Sequence, residues 1–167
     1  IGTGGKGIDF SAQTTSTASG VTAATSSGDE RLEHYEQGTW SASVRAEQNG
    51  TASTSTTNDS RYVRIGNFVH CVAYFTISAY ASGTTNGSLY LTGLPFANTA
   101  NHGAAHFHFF SGFGQNINFI TGTVQANTAE VLVRGSTSED NNTATLDFDA
   151  TVSANDAIIF SCNYVTS

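Results

Sequence analysis

Apolar and polar residues alternate with a period of two along much of the chain from Trp40 onward. Trp40, Ala42, Val44 and Ala46 alternate with Ser41, Ser43 and Arg45, the pattern of a strand with one face on a core and the other in water. A polar loop is expected over residues 47–60. The strongest local signal is residues 61–78 (RYVRIGNFVHCVAYFTIS). There two strand-like runs flank Gly66-Asn67, a dipeptide that tolerates the positive φ of a tight hairpin turn. Further strands are expected over residues 88–93, 104–111, 117–124, 130–134, 144–152 and 157–165, separated by Gly, Asn, Asp or Ser. In the fifth of these, Leu146, Phe148, Ala150 and Val152 alternate with Asp147, Asp149 and Thr151, which predicts a strand with its acidic side in water. Ile158, Phe160, Cys162 and Tyr164 repeat the pattern.

The first 28 residues differ. Ile1, Ile8, Phe10 and Val21 are their main apolar side chains, and residues 13–28 are nearly all Ser, Thr, Ala and Gly. Such a segment cannot form a core alone, so it is expected to be either a flexible leader or a thin stalk ordered by winding against identical chains. Residues 29–36 (DERLEHYE) are a dense charge cluster with room for a helical turn or two before the strands begin. The expected architecture is all-β, an antiparallel β-sandwich (jelly-roll-like) head over residues 29–167 preceded by an extended, low-complexity stalk over residues 1–28. No internal repeat stands out.

Composition agrees with that class. Ser, Thr and Asn compete for backbone hydrogen bonds and Gly disfavours helix, whereas 11 Phe, 6 Tyr and many Val, Ile and Thr suit a pleated surface. With a formal charge of -7 and only six Lys plus Arg, the chain has no basic patch able to neutralise several phosphates, so neither nucleic acid nor an anionic membrane is an expected partner. No apolar run approaches the roughly 20 residues that a membrane-crossing helix needs. The absence of Met, with Ile1 at the start, leads us to expect a piece of a longer or processed chain. Cys71 and Cys162 each sit in an apolar run, which suits buried free thiols; one bridge between them is the alternative.

Motifs of catalysis are missing: no GxSxG, HExxH, P-loop or paired CxxC occurs. Asp147 with Asp149, or Glu33 with Glu36, could supply two carboxyl groups for glycoside hydrolysis, but acidic residues on an exposed strand face or in a charge cluster serve solubility more often. His106 and His108, in the sequence HFH, fall on one strand face about 7 Å apart. Two ligands in one chain are too few for a metal; three chains meeting at an axis would bring an octahedral nitrogen set suited to iron or a similar ion. The plainer expectation is two ordinary histidines, no metal and no cofactor. Tyr80, Tyr90 and Phe113, with residues 83–87 and 112–118, are candidates for a sugar-stacking platform, because a ring face complements the apolar side of a sugar.

Four segments in order carry a resemblance: residues 32–40 (LEHYEQGTW), residues 61–78, residues 87–96 (GSLYLTGLPF) and the closing AIIFSCNYVTS. Together they resemble the C-terminal, distal domains of bacteriophage tail fibres and related virion fibre proteins, and residues 5–12 (GKGIDFSA) look like the leader that precedes them. The pattern departs in detail, with Ser41-Ala42 where Thr-Pro is common and Arg64 where Lys is usual before Ile65. Residues 97–153 fall where that family varies most, so no binding residue carries over.

The resemblance implies an extracellular virion protein, a homotrimer joined to other fibre or tail proteins; the lack of a long apolar run leads to the separate expectation of no membrane insertion. Its leading expected function is non-enzymatic attachment to a host-surface glycan or protein through variable loops. A purely structural trimerisation or capping module, and a small polysaccharide depolymerase, are the alternatives.

Overall fold

The computed structural model of the chain describes residues 8–9, 31–32, 35–48, 55–78, 86–99, 102–137 and 143–167. Among them lie twelve strands, β1 (Ile8–Asp9), β2 (Arg31–Leu32), β3 (Tyr35–Thr39), β4 (Ser43–Gln48), β5 (Ser55–Ile65), β6 (Phe68–Ile77), β7 (Asn86–Thr92), β8 (His102–Ser111), β9 (Phe119–Gln125), β10 (Glu130–Ser136), β11 (Ala144–Thr145) and β12 (Ala157–Val165), and one short helix, α1 (Phe148–Thr151). β1 pairs with β2, and the rest form a ten-stranded antiparallel sheet in the order β3-β5-β6-β12-β8-β9-β10-β7-β4, with β11 on β10.

That order forces the sheet to curl. β3 and β4 occupy its two ends, yet only Trp40, Ser41 and Ala42 connect them, a reach of about 14 Å at full extension. Nine strands laid flat would hold those ends about 38 Å apart. The right-handed twist of the strands supplies the curvature, and the result is a half-barrel with jelly-roll-like sandwich packing. Trp40 secures the junction: its backbone N–H donates to Ser60 O at 3.1 Å and its indole N–H to Arg61 O at 3.2 Å.

The concave side of the curl is the core. Val44, Val69, Cys71, Phe75, Leu89, Val124, Val131, Val133, Ile158, Phe160 and Cys162 are all fully buried there. Phe160 is the hub, edge-on to Trp40 at 6.0 Å and to Phe75 at 6.5 Å, and stacked on Phe107 at 5.9 Å. Covering a side chain of this size contributes about 1.5–3 kcal/mol.

The hairpin of β5 and β6 forms as the two strand-like runs about Gly66-Asn67 predict, with Ile65 opposite Phe68 and Gly66 at φ 59°. Asn67 keeps a negative φ, so the turn is of the type that needs Gly only at its first central position. β12 occupies the expected residues, and both cysteines are free thiols.

Three expectations are corrected. Residues 144–152 are not one strand: after β11, Leu146 anchors the chain and Phe148–Thr151 turns into α1. The Asp147 carboxylate accepts from Ala150 N at 3.0 Å and caps the turn, so Phe148, Thr151 and Val152 are buried at helical spacing while Ala150 is exposed. In the charge cluster, Arg31–Leu32 and Tyr35–Glu36 are strand, because β1 and β5 offer them backbone partners. Finally, the polar loop is shorter than 47–60, since pairing with β6 draws Ser55 onward into β5. The stalk-like residues 13–28 lie outside the described residues.

Candidate contact surface

Of the aromatic candidates, Tyr80 lies outside the described residues. Tyr90, on β7, is half-buried beneath Arg45, whose guanidinium carbon sits 4.3 Å from the ring centroid. Arg45 is held by a two-pronged ion pair with Glu130, its Nε donating to Oε1 at 2.7 Å. The Glu130 hydrogen bond raises the Arg45 pKa, and burial raises that of the Tyr90 phenol. Phe113 stacks on Phe110 at 5.2 Å and packs against the core. Both rings are thus engaged within the fold, Tyr90 by a cation over its face and Phe113 by a neighbouring ring.

His106 and His108 are both exposed on the outward face of β8, as HFH suggests. A bulge falls at His108: Phe107 stands opposite Phe160 and Phe109 opposite Ile159, leaving His108 as the extra residue. His108 Nε2 is 2.9 Å from Ser161 Oγ. Among the described residues, no group of three or more His, Cys, Asp and Glu is placed to hold a metal ion. Of the carboxylates considered for catalysis, Asp147 is the helix cap, Glu36 accepts a hydrogen bond from the Tyr62 hydroxyl, and the side chains of Glu33 and Asp149 lie outside the described residues.

What the structure does assemble is an apolar outer face. Directly opposite residues of an antiparallel pair share a face, so the register can be followed across strands. One row runs Tyr35, Ile65, Phe68, Val165 from β3 to β12. A second runs Gln37, Val63, His70, Asn163, Ala104, Thr123 from β3 to β9. A third runs Thr39, Arg61, Val72, Ser161, His106, Thr121, and a fourth Asp59, Tyr74, Ile159, Phe109. Phe119 lies on the same face as Thr121, two residues along β9.

All seven exposed large hydrophobic residues among those described, from Tyr74 at 38% to Tyr35 at 61%, therefore share this one face. Sequence reasoning missed it, although a signal was present. β6 reads FVHCVAYFTI, apolar at both odd and even positions, as strands covered on both sides do.

No family model matches the chain, and no curated protein matches it significantly. Its fold is similar to the crystal structure of Dettilon tailspike protein (gp208), with a TM-score of 0.62 and 11% identity over 78% of this chain. The match covers 24% of the tailspike chain, so the present chain corresponds to about a quarter of that protein. At this identity the likeness is one of fold alone, that of an all-β, antiparallel, curled sheet.

Proposed function

We propose that the chain is a non-enzymatic domain of a virion fibre, trimeric and extracellular, that attaches the particle to a host-surface glycan or protein. The observation that carries this reading is the fold shared with a tailspike protein. Its support from the sequence is the ordered series LEHYEQGTW, RYVRIGNFVHCVAYFTIS and GSLYLTGLPF. A head that acts by contact has no need of paired acids or a metal, and three linked heads turn weak single contacts into firm attachment through effective concentration. The purely structural cap is the second reading, favoured by the engagement of Tyr90 and Phe113 in contacts within the fold.

Adsorption of the fluorescently labelled chain to a panel of bacterial strains, beside incubation with their purified surface polysaccharides, tests the proposal. Saturable binding to some strains without release of reducing sugar ends is the expected result. Binding to none of them favours the cap, and released oligosaccharide overturns the non-enzymatic assignment in favour of a depolymerase.

A further inference from the structure

We infer that the outer face of β3, β5, β6, β12, β8 and β9 is the surface on which a second copy of this chain packs. This rests on the trimeric reading above, and adds to it which surface makes the contact.

Size is the first argument. Six strands at a spacing of about 4.8 Å span about 24 Å, and from the Phe68 row to the Tyr74 row is about 20 Å, a projected footprint of roughly 500 Å². That footprint, its polar positions included, meets the roughly 500 Å² per partner that a specific protein interface must clear.

Charge is the second. The chain carries -7 in total, so two copies repel unless they meet where the charge is absent. β6, β8, β9 and β12 contain no Asp, Glu, Lys or Arg. Among the described residues, the carboxylate and guanidinium on this face of the six strands are Asp59 and Arg61 of β5, which pair with each other at 2.9 Å, and Arg134 of β10 stands at the margin, opposite Thr121. The face is neutral apart from its histidines, so copies arranged about a threefold axis can pack on it without burying an unpaired charge at its centre.

Polar groups at its centre are already partnered sideways. His70 Nδ1 lies 2.7 Å from Asn163 Oδ1 on the neighbouring strand, and His108 Nε2 lies 2.9 Å from Ser161 Oγ. Groups hydrogen-bonded within the sheet lose little when water is removed from above them. Shape points the same way. The face is turned away from the core of a curled sheet and bulges outward, whereas small-ligand sites are concave with polar groups converging on one spot. Its rings are spread over separate rows, Phe68 on the first, Tyr74 and Phe109 on the fourth, which suits a broad protein surface better than a single sugar.

Native mass measurement of the full chain beside Val72→Glu, Phe119→Glu and Ala150→Glu tests the inference. Val72 and Phe119 are exposed on the face, and Ala150 is exposed off it, on α1 at the core side of the sheet, so all three positions tolerate a carboxylate in the single chain. The expected result is an oligomer for the unaltered chain and for Ala150→Glu, with self-association weakened roughly a hundredfold in Val72→Glu and Phe119→Glu. Circular dichroism of the two face variants should keep the β signal of the unaltered chain; if one unfolds, the other still decides. An oligomer indifferent to both substitutions overturns this face while leaving the trimer in place. An unaltered chain that stays monomeric overturns both, and adsorption to bacterial cells that is then lost in Val72→Glu assigns the face to the host surface instead.

Discussion

Cys71 and Cys162 face each other across the neighbouring strands β6 and β12, both fully buried and both free thiols. The hydrogen bond with Cys71, and then burial, push the Cys162 thiol far above the ordinary thiol range. Thiolate is the reactive form, so Cys162 is inert while the protein is folded, and full burial shields Cys71 from reagents. A disulfide reagent such as DTNB should titrate neither cysteine in native buffer and both in denaturant; rapid native labelling would show that the core opens at this point.

The same thiol makes the fold sensitive to alkali. An unfolded Cys162 ionises near pH 8.5, whereas the folded one holds its proton, so its contribution is complete below that pH and falls as pH rises through it. The loss is about 1.4 kcal/mol per pH unit for one such group. Tyr164, whose phenol is raised mainly by burial, adds a loss of the same sign above about pH 10. Urea midpoints measured between pH 7 and 11 should decline beyond about 8.5. A Cys162→Ala variant should lack the first part of that decline.

Gly93 in the TGLPF segment has a φ of +88°, and a Cβ there would stand 2.1 Å from Ser41 O. Gly93→Ala therefore combines an unfavourable backbone region with a clash against main chain that cannot step aside. A cost of about 3 kcal/mol or more is expected, read as a lower denaturation midpoint. A change below about 1 kcal/mol would mean that the connector at Ser41 yields.

Phe160→Ala removes the ring on which Trp40, Phe75 and Phe107 converge. Truncating a fully buried Phe costs about 3–5 kcal/mol, and here it also loosens the junction that Trp40 makes between the two ends of the sheet. Thermal unfolding should fall sharply, and the Trp40 fluorescence of the native state should shift to the red.

Asp147→Ala should cost about 1 kcal/mol by removing the cap on Ala150 N, while Asp147→Asn, whose side-chain oxygen can still accept, should cost less. Equal losses from both would point to the charge rather than the hydrogen bond.

Short-range pattern in the sequence determined much of the fold. Period-two alternation located β4 and β12, and Gly66-Asn67 between two strand-like runs placed the hairpin of β5 and β6, because side-chain direction along a strand and φ in a tight turn are local properties. The ordered motifs lead to the expectation of a fibre-type domain, and the likeness to a tailspike is one of all-β fold alone. Residues 144–152 show where local pattern stops: their alternation is real, but the Asp147 cap and the burial of Phe148, Thr151 and Val152 at helical spacing turn the chain into α1 instead.

Only the tertiary structure decided which strands are neighbours. Alternation states which residues of one strand share a face, and is silent on the order β3-β5-β6-β12-β8-β9-β10-β7-β4 that sets those faces side by side. That order joins the ends of the sheet through Trp40 and seats Cys71 against Cys162. It also gathers Tyr35, Ile65, Phe68, Val72, Tyr74, Phe109 and Phe119, scattered over 85 positions from first to last, counting both ends, onto one surface. The physical reason is that backbone hydrogen bonds between strands carry no label of their own; only the closing of the core selects which strands they join.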